Sequence, residues 1–218
     1  MRKISVIILP LALAAFAFAA APDMAAAENM SHAHMGHVTD AWGDTPDGKG
    51  LLPTAMAEAE IAIQHAGFAA NKPDDLEWMQ THTRHVLHAV DPSVEANGPG
   101  LGYGVVTGAG GAAAHINYAS QSDDASDNVR AHAVHVATSS QNTVARAEEI
   151  VAHGKKVLSA GSAADAHHHV TKIVLLADQL LAGIDADGDG TISWSEGEGG
   201  LNEAMAHMGY MAKGEGMN

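Results

Sequence analysis

The arrangement of apolar and polar positions after residue 50 is typical of amphipathic helices. Apolar residues recur three and four positions apart, which places them on one face of a helix with about 3.6 residues per turn. Val170, Ile173, Val174 and Leu180 form the most apolar of these faces. The pattern predicts helices over residues 52–70, 73–90, 112–120, 126–158, 163–184 and 201–211. Strand patterns are nearly absent, so we expect an all-α fold, a helical bundle of about four long helices.

The amino terminus has the three-part pattern of a secretory leader. Arg2 and Lys3 precede an apolar run over residues 4–19, and small alanine-rich segments follow it. This pattern predicts a signal peptide over residues 1–27 and a periplasmic or secreted mature protein. The alternative is an uncleaved amino-terminal anchor. No other segment is apolar enough to span a bilayer, so we expect no membrane association after cleavage.

Glycine, proline and acidic residues mark the boundaries between the later segments. Asp91-Pro92 ends the second helix, and seven glycines within residues 97–111 predict a long irregular connection. Residues 28–50 mix His and Met with Gly, Asp and Pro and have no helical period, which predicts a flexible arm. A His-rich bundle over residues 51–160 and a helix–loop–helix unit over 161–218, packed on the bundle, complete the expected organisation.

Composition restricts the classes of partner. The formal net charge is −15, and cleavage of the leader removes two basic residues, so the mature surface is acidic. Such a surface repels phosphate backbones, which argues against nucleic acid, and it attracts cations. The chain has no cysteine but 15 histidines. Imidazole and thioether are therefore the only soft metal ligands that it offers.

A twelve-residue acidic segment near the carboxyl terminus has the spacing of a calcium loop. It reads Asp185-Ala-Asp-Gly-Asp-Gly-Thr-Ile-Ser-Trp-Ser-Glu196, with alternating aspartates, a glycine at the sixth position and a final glutamate. Calcium takes six to eight oxygen ligands at flexible distances, and this order of carboxylates supplies them from two sides. The segment follows the most apolar helix of the chain.

This segment resembles the EF-hand family over about residues 167–212. The resemblance implies Ca²⁺ coordination by the side chains of Asp185, Asp187 and Asp189, the carbonyl of Thr191, Ser193 directly or through water, and both oxygens of Glu196. It also implies that Ile192 pairs with a second loop. No second loop of correct spacing is present, so pairing across a homodimer or a purely structural role is the expectation.

Histidines recur at helical spacing on two predicted helices. His82, His85 and His88 are three residues apart, and His132 and His135 repeat that spacing. Residues three apart share a helix face, so each HxxH pair offers two imidazoles to one ion. We expect His85, His88, His132 and His135 to converge on a transition metal such as Cu, Zn, Ni or Co, with His65 and His115 completing the set. The opposing interpretation is that these are hydrogen-bonded polar residues without a ligand.

Histidine and methionine also occur together near both ends of the mature chain. The arm contains His32, His34 and His37 with Met30 and Met35, and a methionine stripe near the carboxyl end accompanies His207: Met205, Met208 and Met211. Thioethers favour Cu(I), so copper is the first metal to test, although ordinary core packing also explains such a stripe. His167-His168-His169 points three ways around its helix and is more typical of a solvated helix start.

The sequence favours metal binding over catalysis. No nucleophile elbow, zinc-protease motif or Walker phosphate loop is present. The leading hypothesis is an exported protein for metal sequestration, delivery or sensing, with a calcium loop and a histidine site. A bundle that binds haem b non-covalently through two histidines, and a metalloenzyme using the same cluster, are the alternatives.

Overall fold

The computed structural model describes residues 29–217, and the predicted signal peptide lies outside them. Within that range the chain forms seven α-helices and no strand, which confirms the all-α class. Five helices have 15 residues or more, rather than about four. The bounds are α1 Met30–Thr39, α2 Leu51–Ala70, α3 Leu76–Val90, α4 Val105–Gln121, α5 Asp127–Ser159, α6 Ala163–Ala182 and α7 Leu201–Gly214. No helix in these 189 positions is both long and apolar enough to cross a bilayer.

Three of the predicted helices begin at polar caps. Asp75, Ser126 and Ser162 each accept a hydrogen bond from a backbone N–H in the first turn of α3, α5 and α6. Such side chains satisfy amide groups that have no partner inside the helix. The 33-residue α5 lies at the centre of the fold and packs against α3, α4, α6 and α7.

Ten residues of the predicted flexible arm form helix α1, so the expectation of an arm without helix was wrong for residues 30–39. Asn29 caps α1 by accepting a hydrogen bond from the amide of His32. The Asp124 carboxylate accepts two more, from the amides of Met30 and Ser31. Met35 and Val38 are buried against the core, and α1 packs on α4. Tertiary contact therefore stabilises a helix whose own apolar pattern is too short to predict it.

The predicted glycine-rich connection is half helical, because α4 starts at Val105. Its glycines serve close packing on α2: a Cβ on Gly108 would lie 2.8 Å from the Cβ of Ala55, and one on Gly111 would lie 2.9 Å from Leu51 Cδ2. The same glycines that lower helix propensity therefore permit close helix–helix contact.

The remaining part of this connection is held by a buried carboxylate. Glu58 is fully buried, and it accepts hydrogen bonds from the amides of Leu101, Tyr103 and Gly104 at 2.9–3.0 Å. These bonds satisfy backbone donors at the start of α4 and compensate the burial of the carboxylate.

The methionine stripe of α7 belongs to the core. Met208 and Met211 are at most 2% exposed, and Met205 is partly buried against the same cluster. Met35 on α1 is buried as well. These thioethers fill space between aliphatic side chains, so the packing interpretation of the stripe accounts for their position.

Candidate metal centres

Nine of the 15 histidines form three separate clusters of three. Centre 1 consists of His34, His37 and His115; centre 2 of His65, His82 and His85; centre 3 of His132, His135 and His207. In each cluster, one ligand atom from each of the three imidazoles lies within 4.8 Å of the other two. The structure therefore contains three His-based groups with the arrangement needed to hold a metal ion.

All three centres have the same arrangement on two neighbouring helices. An HxxH pair on one helix (α1, α3 or α5) faces a single histidine on a helix that packs beside it (α4, α2 or α7). Residues three apart share a helix face, so the pair offers two rings to the neighbouring helix. The single histidine is followed three residues later by an aromatic residue: His65 by Phe68, His115 by Tyr118, and His207 by Tyr210.

The nitrogen atoms that approach one another are all Nδ1. In centre 1 the Nδ1 atoms of His34 and His37 lie 3.1 and 3.2 Å from that of His115. The corresponding distances to the single histidine are 3.0 and 3.3 Å in centre 2, and 2.9 and 3.2 Å in centre 3. Three nitrogens placed tetrahedrally about 2.0–2.1 Å from a zinc ion would be about 3.3–3.4 Å apart, close to these distances.

Hydrogen bonding between the rings does not explain this convergence. An imidazole nitrogen carries in its ring plane either one proton or one lone pair. The Nδ1 of the single histidine therefore satisfies one neighbour well, whereas two Nδ1 atoms approach it in every centre. A cation between three lone pairs satisfies all three nitrogens at once.

Aromatic side chains border every centre. The chain has three tryptophans, and each contacts a different centre: Trp42 lies 4.5 Å from His115, Trp78 4.4 Å from His82 and Trp194 4.1 Å from His135, between ring centroids. Phe68, Tyr118 and Tyr210 add a second ring to centres 2, 1 and 3. These rings pack against the imidazoles and restrict their orientations.

Burial lowers the pKa of six of these nine imidazoles and so favours their neutral form. Burial, together with the neighbouring His85 and His82, lowers the pKa of His65 to about 4. Burial also lowers the pKa of five further histidines that belong to the centres: His34, His82, His115, His135 and His207. Neutral imidazole is the form that binds metal, so few protons compete for these nitrogens near neutral pH.

The histidine clusters differ from the sequence prediction. His85 with His65, His132 with His135, and His115 do lie in clusters, but in three different ones, so the expected single four-histidine site was wrong. His88 joins none of them.

His88 lies outside the clusters because of helix geometry and because it packs against the glycine-rich connection. Positions three apart are offset by about 60°, so His88 is about 120° away from His82 around α3. It is 6% exposed, its Nδ1 lies 3.0 Å from the carbonyl oxygen of Glu95, and its ring packs against Gly98 and Gly100.

Four of the nine cluster histidines were not predicted as ligands: His34, His37, His82 and His207. A signal for the first three was present, because residues 34–37 and 82–85 have the same HxxH spacing as 132–135. His207 shares with His65 and His115 the aromatic residue three positions later, which the prediction did not use.

A fourth group of imidazoles in close contact has two members. The Nδ1 atoms of His153 on α5 and His169 on α6 lie 3.0 Å apart. Ile150 occupies the position three residues before His153, where an HxxH pair would have its second histidine. His167 and His168 are exposed, in agreement with a solvated helix start. One hydrogen bond satisfies two nitrogens, so this pair needs no cation.

The acidic loop brings its three aspartates together. Carboxylate oxygens of Asp185, Asp187 and Asp189 lie within 4.8 Å of one another. Both oxygens of Asp185 accept backbone hydrogen bonds, including one from the amide of Gly190 at 2.9 Å. The Thr191 hydroxyl donates to Asp189 at 2.6 Å and lowers the pKa of that carboxyl. Ile192 is 41% exposed, so its pairing across a homodimer remains a prediction.

The far side of the loop differs from the expected arrangement. Glu196 does not belong to the acidic group; it lines a groove of about 550 Å³ against α5. The helix that leaves the loop starts only at Leu201. Glu198, which the prediction omitted, is 4% exposed and accepts hydrogen bonds from the hydroxyl and the amide of Ser193 at 2.6 and 2.9 Å. These bonds lower the pKa of Glu198.

Two residues of α5 hold this segment in place. Asn142 donates to the carbonyl of Ser195 and accepts from the amide of Gly197. Arg146 is 5% exposed and donates to the carbonyls of Gly197, Glu198 and Gly199. The buried guanidinium is therefore compensated by three acceptors, and it fixes the path from the loop to α7.

Comparison with known proteins assigns no family. The chain matches no protein-family model, and neither the curated proteins nor the solved structures contain a significantly similar one.

Proposed function

We propose that this protein is an exported carrier of transition-metal ions that binds one ion at each of its three histidine centres. The observation that carries the proposal is that, in each cluster, two Nδ1 atoms lie 2.9–3.3 Å from the Nδ1 of the single histidine. Three copies of one donor set on separate helix pairs increase the number of metal ions that one chain can bind. This supports sequestration or delivery more than catalysis at a single pocket.

The donor set indicates the metal class. Neutral imidazole suits Zn²⁺, Cu²⁺, Ni²⁺ and Co²⁺, and Cu²⁺ binds such ligands most tightly of these ions. The thioether argument for Cu(I) is weaker, because Met35, Met208 and Met211 are buried in the core. We therefore propose divalent copper or zinc as the first ions to test.

Three histidines leave at least one coordination position open on each ion. Structural zinc sites are normally closed by four protein ligands, whereas sites with three ligands take water or another small ligand. An open position permits a second protein or a small chelator to remove the ion. This feature supports delivery over a permanent structural role.

We further propose that the acidic loop binds Ca²⁺ and that Glu198 closes it. The three aspartates provide oxygens on one side, while the Glu198 carboxylate interacts with Ser193 at the ninth position of the loop. On this proposal Glu198→Ala abolishes calcium binding measured by calorimetry, and Glu196→Ala retains it. The opposite result would restore the assignment that the EF-hand resemblance implies.

The alternative of a haem b bundle has less support. Two axial histidines must leave room for the porphyrin between them. The Nδ1 atoms of each centre instead approach to within 3.3 Å, which leaves room for a single ion. A Soret band in the purified protein would favour the haem alternative.

Stoichiometry tests the main proposal. Calorimetric titration of the dialysed chain with Zn²⁺, in excess Ca²⁺, is expected to give three bound ions per chain. Removal of the single histidine of one centre, as in His115→Ala, is expected to give two. A stoichiometry of zero, or one that His115→Ala leaves unchanged, would overturn the proposal.

A further inference from the structure

Centre 3 has a carboxylate on the far side of one of its rings. The Nε2 of His207 lies 3.1 Å from Oε1 of Glu203, four residues earlier on α7. In the part of the chain that the structure describes, no other histidine of the three centres has a carboxylate oxygen within 4.0 Å of a ring nitrogen. Otherwise the three centres have the same donor atoms.

The contact determines which ring nitrogen of His207 carries the proton and which has the lone pair available to a metal ion. A neutral imidazole has one N–H, and a carboxylate accepts but cannot donate. With Glu203 at Nε2, the proton is held there, so the lone pair of Nδ1 points toward His132 and His135. A carboxylate in this position also makes the ring a stronger ligand, as is common for histidines that bind metal.

The local structure accommodates the Glu203 side chain next to His207. It lies in the first turn of α7, where a negative charge interacts favourably with the helix dipole. A Cβ on Gly199 would lie 3.1 Å from its Cγ, so glycine at that position leaves room for the carboxylate chain. The side chain of Glu203 is 27% exposed and that of His207 is 11% exposed. The contact is therefore partly shielded from water, which strengthens it.

We infer that Glu203 is a positioning residue that makes centre 3 the tightest of the three centres, so that this centre fills first. The inference rests on the proposed function, since it orders sites that the proposal assigns. In centres 1 and 2 the single histidine must select its tautomer without such a partner. Loss of a comparable carboxylate costs about 10- to 100-fold in metal affinity.

Chains with a single intact centre test this order. His65→Ala combined with His115→Ala leaves centre 3 alone, and His65→Ala with His207→Ala leaves centre 1. Competition with a chromogenic chelator measures the Zn²⁺ affinity of each, with and without Glu203→Ala. We expect about 10- to 100-fold weaker binding in the centre 3 chain and no change in the centre 1 chain. Glu203→Gln, which keeps an acceptor without the charge, is expected to lie between.

Each outcome has a distinct meaning. If the centre 3 chain binds one ion with an affinity that Glu203→Ala does not alter, the inference is wrong and the proposed function stands. If it binds no ion while its helical circular dichroism is normal, the proposed function fails. Equal loss in both chains indicates damage to the fold and also contradicts a positioning role.

A spectroscopic measurement separates positioning from packing. The ¹⁵N chemical shifts of the His207 ring report which nitrogen is protonated. The metal-free protein is expected to have its proton on Nε2, and Glu203→Ala is expected to lose that preference. A wild-type ring with its proton on Nδ1 would refute the inference.

Discussion

The three centres and the His153–His169 pair use the same contact between helices but differ by one ligand. In all four places an Nδ1 atom approaches another at 2.9–3.1 Å. In the centres a third ring joins, and hydrogen bonding can no longer satisfy every nitrogen. In the pair, the position three residues before His153 is Ile150 rather than a histidine, and a simple hydrogen bond suffices. Two helices packed together thus bring histidines into contact, but the HxxH spacing is what provides the third imidazole of a candidate cation site.

Removal of single histidines tests this difference most strongly. His65→Ala or His207→Ala reduces a centre to a pair, so we expect each to lower the number of tightly bound Cu²⁺ ions per chain from three to two. His153→Ala and His169→Ala are the matched changes in the pair, and both are expected to retain three. Metal analysis after gel filtration gives the count. Loss of an ion in His153→Ala would erase the distinction.

The centres show which parts of a site can be predicted from the sequence and which cannot. The HxxH spacing and helix α5 are visible in the sequence, because period and caps are local properties. The third ligand is not, since it depends on which helices pack together: His115 is distant in sequence from His34 and His37 and meets them only through the contact of α1 with α4. Helix α4 itself was partly missed because Gly108 and Gly111 act through packing on α2.

Thermal stability provides a second comparison. A ligand that binds only the folded state stabilises it by about 2.7 kcal/mol per site at a free concentration 100 times its Kd. Saturating Zn²⁺ is therefore expected to raise the melting temperature of the native protein. The gain should fall by one site's share in His132→Ala and remain complete in His169→Ala. An equal loss in both variants would contradict the account.

In the metal-free protein, the free energy of unfolding at acidic pH should depend more on centre 2 than on the His153–His169 pair. The pKa of His65 is about 4 in the folded chain and near 6.5 in the unfolded chain, so the unfolded state binds more protons between these values. The free energy of unfolding should therefore fall as the pH decreases from about 6.5 to about 4. His65→Gln is expected to flatten this dependence in urea titrations.

His153→Gln is the control for this effect. Burial and His169 lower the pKa of His153 as well, so this change should flatten the dependence too, but to a smaller extent. A larger effect of His153→Gln than of His65→Gln would show that folding lowers the pKa of His153 more than that of His65, contrary to this prediction.

The smallest expected effect concerns fluorescence. Each tryptophan lies beside one centre, and Cu²⁺ quenches nearby indoles, so titration with Cu²⁺ is expected to quench the emission in proportion to occupancy. Trp194→Phe should remove the component that reports centre 3 while the chain still binds three ions. Quenching that continues beyond three equivalents with no change of slope would indicate nonspecific binding.

The most direct test of the central claim is an anomalous difference map from crystals of the protein grown with Zn²⁺. The account predicts three strong peaks, each about 2.0–2.1 Å from three Nδ1 atoms, at centres 1, 2 and 3. Peaks confined to exposed histidines such as His167 and His168, with the three centres empty, would contradict it.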